Sequence, residues 1–148
     1  MIIYIGADHR GFSLKEQIKK SLSGEAYTVI DVGAAQVMPD DDFPDYAAKV
    51  AEGVAKNPGV DRGIVICGSG FGVDIAANKF RGIRSGLAAT SDQIYQGRHD
   101  DDVNVLALAA SFVDEVMAQK IVKTFLATPF AKEERYTRRL EKISKLEI

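Results

Sequence analysis

The stretch Gly63-Ile64-Val65-Ile66-Cys67-Gly68-Ser69-Gly70-Phe71-Gly72-Val73-Asp74-Ile75-Ala76-Ala77-Asn78-Lys79-Phe80 opens on three β-branched residues in a row. Such a run fills a strand buried on both faces. It closes at Cys67, and Gly68, Ser69, Gly70 and Gly72 lead into a helical segment read as residues 73–79. Strand, glycine-rich turn and helix start leave several backbone N–H groups unpaired and facing whatever binds there. Glycine also lets a ligand come close to the backbone. The spacing of Gly68, Gly70 and Gly72 fits neither the dinucleotide fingerprint nor the phosphate loop of nucleotide hydrolases, because no Gly-Lys-Ser/Thr follows. Cys67, the only cysteine, stands on the rim of this cradle. A lone buried cysteine serves either as inert packing or as a reactive group, so its neighbours must decide.

Upstream, Ile2–Ala7 reads as a strand, followed by Asp8-His9-Arg10-Gly11-Phe12. The next helix has Leu14, Ile18 and Leu22 on one face and Lys15, Glu16, Lys19 and Lys20 on the other, and Gly24 stops it. Residues 28–32 form a second strand, closed by Gly33. Residues 34–44, with Pro39, Asp40 to Asp42 and Pro44, read as a loop. A helix over 45–56 follows, its Ala47, Ala48, Ala51 and Ala55 permitting close packing.

Downstream, residues 83–89 read as a fourth strand, and Ser91 or Asp92 caps a short helix ending near Arg98. Residues 104–109 form a fifth strand. A helix over 113–126 turns Val113, Val116, Met117, Ile121 and Phe125 inward. After Thr128-Pro129 a charged last helix, about residues 132–146, has Leu140, Ile143 and Leu146 as its apolar edge. Strands alternating with helices through short turns predict a three-layer α/β/α, Rossmann-like domain over residues 1–148. Its sheet is parallel and five-stranded, with an extra C-terminal helix.

The 148 residues suffice for one domain. Net charge is −2, which gives no electrostatic case for a nucleic-acid or membrane partner. No apolar run approaches the ~18 residues of a membrane span, and no signal-peptide pattern opens the chain. One cysteine precludes an intrachain disulfide, which suits a reducing compartment and sets cytoplasm as the expectation.

In open parallel sheets ligands bind beyond the carboxyl ends of the strands, where strand order reverses. In the common five-strand order the first and third strands meet there, so Asp8-His9 faces Cys67-Gly68. His99, the second histidine, lies between the fourth helix and the fifth strand, at the opposite end of the sheet. It is either part of a solvated polar loop or the completing residue of a second subunit's site. Arg135 and Arg139 are four apart and share one helix face, where they either clamp an anion or pair with Glu133, Glu134 and Glu141. Asp45 and Tyr46 begin the second helix near the cysteine rim, lining a pocket or capping the helix.

Asp8-His9-Arg10-Gly11-Phe12, Asp45-Tyr46-Ala47, Cys67-Gly68-Ser69-Gly70-x-Gly72, Ile75-Ala76-Ala77-Asn78-Lys79, Gly82-Ile83-Arg84 and Asn104-Val105-Leu106-Ala107 fall in order along nearly the whole chain. Together they resemble the type B ribose-5-phosphate isomerases, the family that also holds allose- and galactose-6-phosphate isomerases. The resemblance implies aldose–ketose isomerisation of a sugar phosphate through an enediolate, with no metal and no cofactor. It implies Cys67 as the base moving a proton between C1 and C2, and a helix N-terminus with backbone donors favours a thiolate there. Ser69 and the N–H groups of Gly68, Gly70, Phe71 and Gly72 form the hole for the enediolate oxygen. Asp8 holds sugar hydroxyls, and Tyr46 and Asp100 line the substrate site. His99, supplied by the partner in a homodimer, opens the furanose ring, while His9, Arg135 and Arg139 bind phosphate. Whether dimers pair into tetramers is left open.

Three departures from the family pattern bear on substrate. Ala109-Ala110-Ser111 replaces the usual Gly-Ser-Arg after the fifth strand, losing a charge-assisted phosphate contact worth roughly 1.5–3 kcal/mol. Asp100 stands where asparagine is common and offers only acceptors. Glu133-Glu134-Arg135-Tyr136 replaces Gly-Gly-Arg-His, with two carboxylates that repel phosphate unless turned away. The expected substrate is ribose 5-phosphate. The rivals are a hexose 6-phosphate or other divergent sugar, or a non-catalytic sugar-phosphate-binding module.

Overall fold

The computed structural model describes all 148 residues. The hydrophobic runs form β1 (Ile2–Ala7), β2 (Thr28–Asp31), β3 (Arg62–Cys67), β4 (Ser85–Leu87) and β5 (Val105–Ala109). The intervening segments form α1 (Phe12–Leu22), α2 (Phe43–Ala55), α3 (Phe71–Ala77), α4 (Ser91–Asp101), α5 (Glu115–Ala127) and α6 (Glu134–Ser144). All strand pairs are parallel, in the order β2-β1-β3-β5-β4. β1 and β3 are neighbours as expected, whereas β5 inserts beside β3 and leaves β4 on the edge. Every residue of β3 and β5 is buried, as their continuous apolar runs require.

Side chains alternate across the sheet and give two cores. On one face Ile3, Ile5, Ile64, Ile66, Leu106 and Leu108 pack against α1 and α5 through Leu14, Ile18, Ile121 and Phe125. On the other, Val65, Val105 and Ala107 meet α2 and α3 through Ala47, Val50, Ala51 and Val73. The three-layer expectation therefore holds, with α6 packed outside on α4. No helix is long and apolar enough to cross a membrane.

Several local readings are corrected. Lys15, assigned to the outer face of α1, is fully buried, its Nζ donating to Asp31 Oδ2 at 2.6 Å and to the Ala34 carbonyl at 3.0 Å. Val116 is 63% exposed rather than inward, and Leu146 is 80% exposed, so the α6 edge buries only Tyr136. Thr90, not Ser91 or Asp92, caps α4 by accepting from the Gln93 N–H. α4 also runs past Arg98, placing His99 and Asp100 in its last turn rather than in a loop.

The Lys15–Asp31 pair ties α1 to the end of β2. Burial pushes the Asp31 carboxyl up, but hydrogen bonds from Lys15, Lys19 and the Gly33 N–H outweigh it and hold the group below the ordinary range. A depressed carboxyl stabilises the fold above its unfolded pKa, about pH 4, and that contribution fades as pH falls through the lower folded value. Asp31→Asn leaves the buried Lys15 ammonium with only Glu16 Oε1 at 3.1 Å and the Ala34 carbonyl, and costs about 3 kcal/mol. Thermal melts above pH 5 should show the variant less stable by that amount. The gap should close in acid; equal melting temperatures at pH 7 would contradict the role of the pair.

Candidate active site

Cys67 ends β3 and is 5% exposed. The chain reverses into α3 through Gly70, whose φ of 76° suits glycine and few other residues. That turn aims the Gly70 N–H at Cys67 Sγ, 3.2 Å away. The N–H groups of Gly68, Ser69, Phe71 and Gly72, and the Ser69 hydroxyl, meet no acceptor in the protein. The Gly70 N–H, expected in the hole, here donates to the sulfur. The unpaired N–H groups at the start of α3 suit an anionic oxygen beside the sulfur.

The neighbouring strand brings the second group. Ala7 pairs with Ile66, so Asp8 and Cys67 stand side by side at the carboxyl rim. Asp8 is 6% exposed, and its Oδ1 accepts the N–H groups of Arg10 and Gly11, each at 3.0 Å. Oδ2 has no protein partner. His9 meets Asp41 of the β2–α2 loop, whose Oδ1 takes the ring Nδ1 at 2.8 Å and the backbone N–H at 3.0 Å. An ionised carboxylate only accepts, so Nδ1 carries a proton, and Nε2 is the ring nitrogen left without a protein partner. Burial pushes the Asp41 carboxyl up, yet the His9 hydrogen bonds outweigh it and leave the group below its usual range. The Tyr46 hydroxyl approaches this carboxylate without reaching hydrogen-bond geometry, and Asp41 Oδ2 is buried and unpartnered. Burial, then the nearby Asp41 charge, raises the Tyr46 phenol.

His99, Asp100, Arg135 and Arg139 gather elsewhere, around Tyr136, which is 6% exposed. The His99 ring stacks on Tyr95 at 5.4 Å between centroids and meets Tyr136 edge-on at 5.9 Å. Its Nδ1 lies 2.6 Å from Asp100 Oδ1, and that bond above all holds the Asp100 carboxyl below its usual range. Asp100 thus orients His99, besides whatever contact it makes with a sugar. Arg135 donates to the Tyr136 hydroxyl at 2.8 Å, and the guanidinium carbons of Arg135 and Arg139 lie 4.5 and 5.9 Å from the Tyr136 ring centroid. Glu133 accepts from Arg135 Nε at 2.9 Å, so it partly neutralises the arginine instead of facing a ligand alone.

One chain does not bring the two groups together. α4 delivers its last turn to the start of β5, where Val105 pairs with Gly63, while Cys67 pairs with Ala109 at the other end. Four residues of strand separate these levels by about 13 Å. Arg10, Asp41 and Tyr136 went unassigned in the sequence reading. Asp41 sat within an acidic loop run, and nothing in its spacing pointed back to His9.

The model of the Ribose/Galactose Isomerase family matches residues 3–143. The chain belongs to this family. Among ribose/galactose isomerases, ribose-5-phosphate isomerase B of Mycobacterium tuberculosis is 34% identical over 147 residues, covering 99% of this chain and 90% of that protein. The crystal structure of ribose-5-phosphate isomerase B from Mycoplasma genitalium with bound ribulose-5-phosphate matches with a TM-score of 0.95 at 39% identity, over 99% of this chain and 95% of that one. The Clostridium thermocellum ribose-5-phosphate isomerase B matches at 0.93 and 41%, over 99% and 97%. The ribose/galactose isomerase fold therefore accounts for almost every residue here, both rims included.

Proposed function

We propose that this chain interconverts an aldose phosphate and its ketose, ribose 5-phosphate and ribulose 5-phosphate, in a site completed by a second copy of itself. The observation that carries the reading is the Gly70 N–H on Cys67 Sγ beside four backbone N–H groups without partners. The Cys67 thiolate takes the C2 proton of the open-chain aldose. The electron pair moves to form the C1–C2 enediolate, and its oxygen charge falls on the N–H groups of Gly68, Ser69, Phe71 and Gly72 and the Ser69 hydroxyl. The O2 proton passes to O1, the Cys67 thiol returns its proton to C1, and the C2–O bond becomes the carbonyl of the ketose. Asp8, with one oxygen free, accepts from sugar hydroxyls.

His99 of the partner subunit, oriented by Asp100 of the partner subunit, moves the proton between O1 and the ring oxygen that opens the furanose. Phosphate is held by Arg135 and Arg139 of the partner subunit and by His9, which donates to it from Nε2–H while Nδ1–H stays on Asp41. Two features support the shared site. The groups lie on opposite rims of one chain, and a two-fold dimer exchanges rims reciprocally. Phe71 and Ile75, one helical turn apart beside the glycine loop, are 62% and 60% exposed, and Phe112 is 80% exposed. A surface this apolar near a site fits an interface.

The test is steady-state conversion of ribose 5-phosphate, with allose 6-phosphate, galactose 6-phosphate and free ribose as comparisons. The reading predicts turnover of ribose 5-phosphate well above the others. Preference for a hexose phosphate would keep the mechanism and change the substrate, and no turnover of any would refute the activity.

A further inference from the structure

Arg10 follows the Asp8-His9 pair, and its guanidinium reaches across the mouth of the β3–α3 turn. Nη2 donates to Ser111 Oγ at 3.0 Å, and the group lies so close over Gly68 that a Cβ there would come within 2.3 Å of Cζ. No carboxylate pairs with it: the Asp8 side chain takes the Arg10 backbone N–H, and Asp41 takes His9. A guanidinium has five N–H donors; one is occupied by Ser111 and the others meet no acceptor in the protein. Ser111 follows β5, next to β3, and its own N–H donates to the Gly68 carbonyl at 3.0 Å, which fixes the hydroxyl that anchors Arg10. The chain has thus set an anchored, unneutralised cation over the glycine loop, next in sequence to His9, from a residue type suited to bidentate phosphate recognition.

We infer that Arg10, anchored by Ser111, is a phosphate-binding residue of this site. It supplies from the β1–α1 turn the positive charge that the family pattern places at position 111. The inference rests on the proposed sugar-phosphate reading but deepens it: Arg10 and Ser111 act as one unit, so charge at 10 and charge at 111 are interchangeable. Gly68 is then required for space as well as for its N–H, because any side chain there displaces the guanidinium.

The test uses Arg10→Ala, Arg10→Lys and the double variant Arg10→Ala/Ser111→Arg, with two readouts. One is steady-state KM and kcat for ribose 5-phosphate; the other is the affinity of inorganic phosphate by calorimetry, which needs no turnover. Arg10 is exposed, so the variants should fold, as melting curves will check. Arg10→Ala should raise both KM and the phosphate Kd about tenfold to a hundredfold, with a smaller effect on kcat. Arg10→Lys should recover part of the loss and the double variant most of it. An Arg10→Ala protein with unchanged phosphate affinity would overturn the assignment, as would a loss confined to kcat. A wild type that binds phosphate through Arg10 but isomerises nothing would sink the proposed activity and leave this inference standing.

Discussion

Cys67→Ala lowers kcat/KM for ribose 5-phosphate by about 10²–10⁴-fold, the range removed with a general base. The upper end is expected because one sulfur both takes the proton from C2 and returns it at C1. The loss appears in kcat, with KM changed little, since the residues that hold the sugar and the phosphate stay in place. Cys67→Ser is the sharper control. Its hydroxyl still accepts from the Gly70 N–H, now 3.2 Å from sulfur, and preserves the turn, but it does not ionise at neutral pH. A serine variant with near wild-type turnover would show that the hydrogen bond serves packing and that the base lies elsewhere.

His99→Ala produces the second large loss, about 10²-fold or more on ribose 5-phosphate, because furanose opening then lacks its proton carrier. The ring is held from three sides, by Asp100 at 2.6 Å, by Tyr95 in a stack and by Tyr136 at its edge. That packing is more than a surface histidine needs, and it leaves Nε2 as the free nitrogen. The deficit should shrink for an aldose phosphate that cannot close a ring, such as erythrose 4-phosphate, whose O4 is esterified. Equal losses on both sugars would remove ring opening from His99 and leave it a binding role.

The sheet and the cysteine loop were legible because each is local. Ile64 to Ile66 form an uninterrupted buried run, and Gly68 to Gly72 set a turn with one outcome. The placement of Asp8 beside Cys67 followed from strand adjacency alone, and the register bears it out. What was hidden depends on partners distant in sequence. Lys15 looked solvent-facing because helical periodicity carries no sign of Asp31, whose carboxylate makes its burial tolerable. Val116 and Leu146 satisfied an apolar stripe, yet no neighbouring element covers them in one chain. Asp41 gains meaning only once the fold sets it against His9, and Ser111, legible in sequence only as a missing arginine, once it is set against Arg10.

The claim that one chain supplies Cys67 and another His99 is tested most directly by mixing two inactive proteins. Cys67→Ala and His99→Ala chains are unfolded together in equal amounts, refolded and assayed on ribose 5-phosphate. In a mixed dimer one site carries both substitutions and the other neither, and random pairing makes half of the dimers mixed. Activity should therefore return to about one quarter of the wild-type value. Activity no higher than the sum of the two refolded single variants would mean that each site is built within one chain, and the shared site would be wrong.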